Sequence, residues 1–309
     1  MVIYVPGTEE TDSKKQNMSL QAIAASRASS TDWGLVKVDG TTITATSGVI
    51  TSIGGGRTLL TSSRNYYVRT DGSDSNTGLA NTAGAAFLTI QKGIDTAVQL
   101  DGSTYDVTIN VAAGTYTTPV VLKNFLGSGT WKILGDATTP ANVIISTTSA
   151  DAISSTSILG TWVVNGFKLQ TTTSGYCVSA TGPTSYIALH NITFGACGSS
   201  HVASFNGAYL QILTNYTVSG NTVDHWLTAN TGTINAFSIT ITISGAPTIT
   251  YWARAIRGGG CNVFSNTYSG APAAGTQKYS ASMNGWIESG GGTLPGTVAG
   301  ATATGGQYA

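Results

Sequence analysis

Three stretches in the middle of the chain share one layout: "WVVNGFKL" at 162–169, "YIALHNITF" at 186–194 and "LQILTNYTV" at 210–218. Asn165, Asn191 and Asn215 stand 26 and 24 residues apart, and Asn266 in "CNVFSNTYSG" lies 51 further on, close to two periods. The skipped member belongs near "AFSITITIS", where Phe237, Ile239, Ile241 and Ile243 alternate with smaller residues. A period in the twenties made of β runs too short to stand alone is one coil of a parallel β-solenoid, with coils stacked about 4.8 Å apart. The alternation of Ile187/Leu189 and Ile239/Ile241/Ile243 turns every second side chain inward. An asparagine after each inward run can turn the chain and bond its counterpart one coil on.

Earlier strand-like segments, 107–111, 120–122, 131–134 and 143–145, are punctuated by Gly114, Gly127, Gly129 and Gly135. Between residues 103 and 270 the period accommodates about seven coils. A β-sandwich would also supply short strands, but it requires neither a repeated asparagine at coil spacing nor a helix just before the strands begin. Such a helix is expected near 89–99. Ile90, Ile94, Ala97 and Val98 make one apolar face and Thr89 stands at its N-cap. Laid across the open end of a solenoid, it closes the core and covers an edge that would otherwise invite aggregation.

The run from "YYVRTDGSDSNTG" through "AFLTIQKGIDTA" to "VTINVAAGTYT", residues 66–117, resembles the pectate-lyase-like superfamily. The upstream "GLVKVDGTTITA" is similar to a small module of phage tail proteins. The resemblance implies an all-β, right-handed parallel β-helix in a phage tail spike or fibre subunit. It also implies a homotrimer exposed on the virion, joined to a tail, baseplate or capsid-vertex protein and meeting host surface polysaccharide. The matching domain organisation is an attachment module at 1–63 and an entry strand, loop and capping helix at 64–102. The solenoid body follows at 103–270, and a C-terminal packing or oligomerisation segment at 271–309. Within the first module, Ser19 caps a short helix and Asp39-Gly40 makes a hairpin turn, with Val49, Ile50 and Ile53 in a third strand.

Only 9% of the 309 residues are charged and the formal net charge is zero, so hydroxyls and amides must wet the surface. Fourteen basic residues scattered along the chain give no concentrated patch for nucleic acid. No window approaches 18 continuous apolar residues, and residues 1–15 lack a basic start followed by an apolar run; neither a membrane span nor a secretory leader is expected. Outside exposure would come through assembly and cell lysis.

Candidate chemistry is sparse. Cys177, Cys197 and Cys261 lack CxxC spacing and read as buried thiols, and His190, His201 and His225 fall in different pattern units, so no metal site or cofactor is expected. Asp71, Asp74 and Asn76 on a glycine loop read as Asx turns, with an ion as the alternative. Beyond residue 106 the acids are Asp136, Asp151, Asp224 and Glu288, with no close pair for polysaccharide cleavage. Arg254 and Arg257 in "ARAIRGGG" read as a solvated turn, and no catalytic residue is assigned. Binding requires less: Tyr186, Tyr209, Trp226 and Trp252 are the candidates for a ladder of flat faces against sugar rings. The alternative to an adhesive role is a polysaccharide-degrading tailspike, acting as lyase or glycosidase.

Overall fold

The computed structural model describes residues 57–309, together with the backbone of strands Ile43–Thr46 and Val49–Ser52. Two compact units divide the chain at Thr58/Leu59. In the first unit the two strands pair antiparallel. The expected helix after Ser19 and the Asp39-Gly40 turn lie outside the described residues.

The second unit is a three-sided parallel β-solenoid, consistent with the pectate-lyase-like architecture implied by residues 66–117. Its first face stacks ten strands, from Arg64–Val68 through Val107–Val111, Trp131–Leu134 and on to Gln307–Tyr308. A second face runs from Gly114–Tyr116 to Thr267–Ser269, and the third is an eight-stranded sheet from Val120–Val121 to Ala301–Ala303. Alternation sets the inside: in Val107–Val111 every odd-numbered residue is buried. Val107, Trp131, Trp162, Ile187, Leu210, Ile234, Cys261 and Ile287 form one continuous inward column along the first face. Both sheets continue past residue 270. Segment 271–309 contributes Gln277–Ser282 and Ala301–Ala303 to the third face and Trp286–Glu288 and Gln307–Tyr308 to the first.

The helix spans Ile90–Ala97, with Thr89 Oγ1 accepting the Lys92 backbone N–H at 3.1 Å. Ile90, Ile94, Ala97 and Val98 are all buried, as their spacing predicts. Asp74 locks the entry: Oδ1 accepts the backbone N–H groups of Leu88 and Thr89, both at 2.9 Å, and Oδ2 accepts Thr89 Oγ1 at 2.8 Å. Asp71 pairs with Arg69, and Asn76 Nδ2 donates to the Ala83 and Ala86 carbonyls, so the loop's polar groups are engaged with the protein itself.

The asparagine repeat marks a real corner, with a mixed chemistry. Asn191 is left-handed (φ 48°) and donates through Nδ2 to Asn165 Oδ1 at 2.9 Å. Asn215 and Asn266 bond backbone instead, accepting the N–H of Thr240 and Ile239. A more regular signal sits at the corner from third face to first. Asn206, Asn230, Arg257 and Met283 each begin a left-handed pair there, and Asn230 Nδ2 donates to Asn206 Oδ1 at 3.0 Å. From Asn230 on, the third position of this turn is Gly232, Gly259 and Gly285. A Cβ on Gly232 would stand 2.2 Å from the Ser204 carbonyl oxygen one coil back, which is why these coils tolerate only glycine there.

One expectation fails inside the core. Cys177 and Cys197 form a disulfide between successive coils, while Cys261 is a buried thiol as expected. Their spacing of 20 residues carries no recognisable signature; stacking the coils is what brings the two sulfurs together.

Candidate functional site

Outward positions on the first face also stack. Thr161, Tyr186, Tyr209, Thr233, Gly260, Trp286 and Gln307 form one column, and Gln211, Asn235, Asn262 and Glu288 stand in the next outward column. The Tyr186 and Tyr209 rings meet edge to face with centroids 4.7 Å apart. Tyr186 Oη donates to Gln211 Oε1 and Asn235 Nδ2 donates to Tyr209 Oη, each at 2.5 Å. These bonds hold the rings in fixed orientations on a rigid sheet. Trp286, 37% exposed, lies over Gly260, where a Cβ would collide with the indole. The stripe therefore offers aromatic faces beside amide donors and acceptors, the combination that suits a sugar ring's apolar C–H face and hydroxyl rim.

Trp226 and Trp252 do not belong to it. Both are wholly buried, with ring centroids 5.8 Å apart. The reason is local: in strand Thr222–Ala229 the consecutive residues His225 and Trp226 are both at 0% exposure, and in Ile249–Ile256 so are Trp252 and Ala253. Strict alternation breaks there, so parity counted along the sequence mislabels the indoles. Trp286 was missed because its short segment lacks the alternation of the earlier coils. Its position above a glycine one coil back was the available signal.

The histidines are the second departure. Ser200 pairs with Asp224 and Val202 with Trp226, so His201 and His225 stand one above the other, with Nδ1 atoms 3.0 Å apart. His201 Nε2 lies 2.9 Å from the Gly195 carbonyl, and His225 Nε2 lies 2.6 Å from Tyr216 Oη. With both rings neutral, the carbonyl fixes every proton. His201 must donate from Nε2, so its Nδ1 accepts from His225 Nδ1–H, and His225 Nε2 accepts the Tyr216 hydroxyl. Burial pushes the His201 pKa down to about 3 and that of His225 well below the ordinary range; the neighbouring His201 depresses the latter further. Burial also raises the Tyr216 phenol. Two imidazoles locked as neutral partners make a structural network. Among the described residues no group of three or more His, Cys, Asp or Glu side chains is placed to hold a metal ion.

Arg254 is the third departure, since it lies within a strand of the third face. Its Nη2 donates to Asp224 Oδ2 at 2.7 Å, and Asp224 is 1% exposed. Burial raises the Asp224 pKa, outweighing the opposing pull of Arg254 and of the Ser200 hydroxyl. Arg257 does occupy a turn, at φ 51°. Asp136 accepts from the Thr138 and Thr139 backbone and from Asn142, which binds it into its own loop.

No protein family matches the chain, nor does any curated protein or solved structure. No helix among the described residues is long and apolar enough to cross a membrane.

Proposed function

We propose that this protein is a phage virion structural protein, a tail spike or fibre subunit whose solenoid contacts host surface glycans. The observation that carries the reading is the first-face stripe, in which Tyr186, Tyr209 and Trp286 stand beside Gln211 and Asn235. The phage-tail-like stretch upstream and the nearly uncharged, hydroxyl-rich composition support the virion setting. A homotrimer, attached through residues 1–63 to a tail, baseplate or vertex protein, belongs to the same proposal. Asp224 is engaged with Arg254, and Asp151 with Ser179 and the Tyr176 backbone, so we propose contact without cleavage.

The test is binding of the full chain to host capsular or surface polysaccharide, compared with a Tyr186→Ala/Tyr209→Ala double variant. Retention of the wild type, with at least a tenfold loss in the variant and an unshortened polymer, is the expected result. Equal binding by both proteins overturns the stripe, and a shortened polymer overturns the adhesive reading.

A further inference from the structure

The far edge of the first face, away from Tyr209 and Trp286, has a different surface. Two positions beyond the stacked amides Gln211, Asn235 and Asn262, the corner toward the second face carries Leu213, Phe237 and Phe264 on three successive coils. Leu213 is 43% exposed, and the two half-buried phenyl rings stack with centroids 5.0 Å apart and planes within 4° of parallel. The next coil places Gly290 at this position, where a Cβ would stand 2.9 Å from the Phe264 Cβ, and the line of apolar side chains ends there. The result is a ridge parallel to the stack.

Charge and spacing both bear on what covers it. Gln211, Asn235 and Asn262 flank the ridge on the first face and Thr217 and Thr242 on the second; the charged members of these two outward columns nearest to it, Lys168 and Glu288, lie beyond its ends. Elsewhere the surface is charged, with Arg257 on the third-to-first corner and Arg254 on the third face. An axis parallel to the stack sets every residue of one copy opposite its own equivalent, where like charges repel. An uncharged apolar line is what such an axis accepts. The ridge also recurs at the coil step of about 4.8 Å, a repeat that a parallel copy matches level for level and a globular partner lacks. A sugar would find no hydrogen-bonding group on Leu213, Phe237 or Phe264.

We infer that Leu213, Phe237 and Phe264 form the contact ridge between parallel, in-register copies of this chain, set around an axis that runs along the stack. The three apolar side chains anchor the contact, and the flanking amides and hydroxyls form its polar rim. Tyr209 stands four residues before Leu213, about 13 Å along an extended chain, so the glycan stripe keeps the open edge of the face. The inference rests on the homotrimer of the proposed function, to which it gives a surface and an alignment.

The experiment uses the full chain with a single Leu213→Cys or Phe237→Cys substitution; of the native cysteines, Cys177 and Cys197 are bonded to each other and Cys261 is buried. Mild oxidation is expected to link each introduced cysteine to its equivalent in a sister chain, giving a covalent dimer on a non-reducing gel, whereas Ser154→Cys, outward on the third face, stays unlinked. Leu213→Glu sets like charges against each other and is expected to weaken self-association at least tenfold in sedimentation. Circular dichroism checks that it is folded; should it fail, the two cysteine variants decide the outcome. A trimer that links at neither cysteine, or that keeps its affinity in Leu213→Glu, overturns the ridge and leaves the homotrimer standing. Loss of glycan binding in Leu213→Glu with self-association intact assigns the ridge to the glycan and overturns the inference. A wild type that stays monomeric overturns both the ridge and the homotrimer.

Discussion

The first coils and the middle coils fill their cores with different chemistry. Under the helix Ile90–Ala97 the interior is held by apolar packing, with Val68, Ile90, Ile94, Ile109 and Ile133 buried beside the rings of Tyr66, Phe87 and Trp131. Further along the stack, over three successive coils, Phe194, His201, Tyr216, His225, Trp226 and Trp252 interlock through ring contacts and a directed hydrogen-bond chain, beside the Cys177–Cys197 disulfide. Apolar packing is largely non-directional and needs mainly volume and closure, which the helix provides. A buried polar network fixes one arrangement, because each donor must meet its acceptor. The end of the solenoid is thus sealed by shape, whereas the middle is registered by bonds.

The sharpest way to break this contrast is Trp226→Ala. Removing a fully buried indole that packs on His225 and Trp252 is expected to cost about 3–5 kcal/mol. Hydrogen exchange should loosen strands Ser200–Phe205 and Thr222–Ala229 while leaving Arg64–Val68 and Val107–Val111 protected. Uniform loss of protection along the stack would mean that the two regions are one cooperative core.

Acid should separate the regions next. The His201 and His225 pKa values are lowered in the folded state, so the unfolded chain binds more protons below its own pKa of about 6.5. Stability from the pair is therefore fully present above that pH and is lost as pH falls toward about 3, where His201 itself titrates. At pH 5 the expected loss from His201 is roughly 2 kcal/mol, and His225 adds to it in the same direction. Denaturant unfolding at pH 7 and pH 5 measures it. A His225→Leu variant should be less stable at pH 7 yet show a shallower pH dependence, whereas Ile94→Val should keep the wild-type slope. An unchanged slope in His225→Leu would remove the imidazoles from the account.

The smallest effect belongs to the capped end. Thr89→Ala removes the oxygen that accepts Lys92 N–H and the hydroxyl that donates to Asp74, and is expected to cost about 1 kcal/mol with no change in pH dependence. Comparing the two slopes of unfolding free energy against pH would expose any coupling between the ends of the core.

Local pattern and period determined much of this protein. The strands Val107–Val111 and Trp131–Leu134, the Thr89 cap, the four buried helix positions and the coil repeat around Asn165 and Asn191 follow from spacing that each segment carries within itself. Tyr209 could also be placed outward, because Tyr209–Ile212 alternates cleanly; Tyr186 follows from the inward Ile187 and Leu189, although Ala188 between them is buried as well. Only the tertiary structure decided the rest. Trp226 and Trp252 turn inward where alternation breaks, Arg254 finds a buried carboxylate 30 residues away, and His201 meets His225 nitrogen to nitrogen. The cysteines close a bond between coils for the same reason. In a solenoid, the neighbour that matters lies one coil away, and its identity depends on how many residues each corner absorbs. A one-residue change of register turns a side chain from core to solvent, so contacts across coils are set by the stacked corners rather than by any single strand.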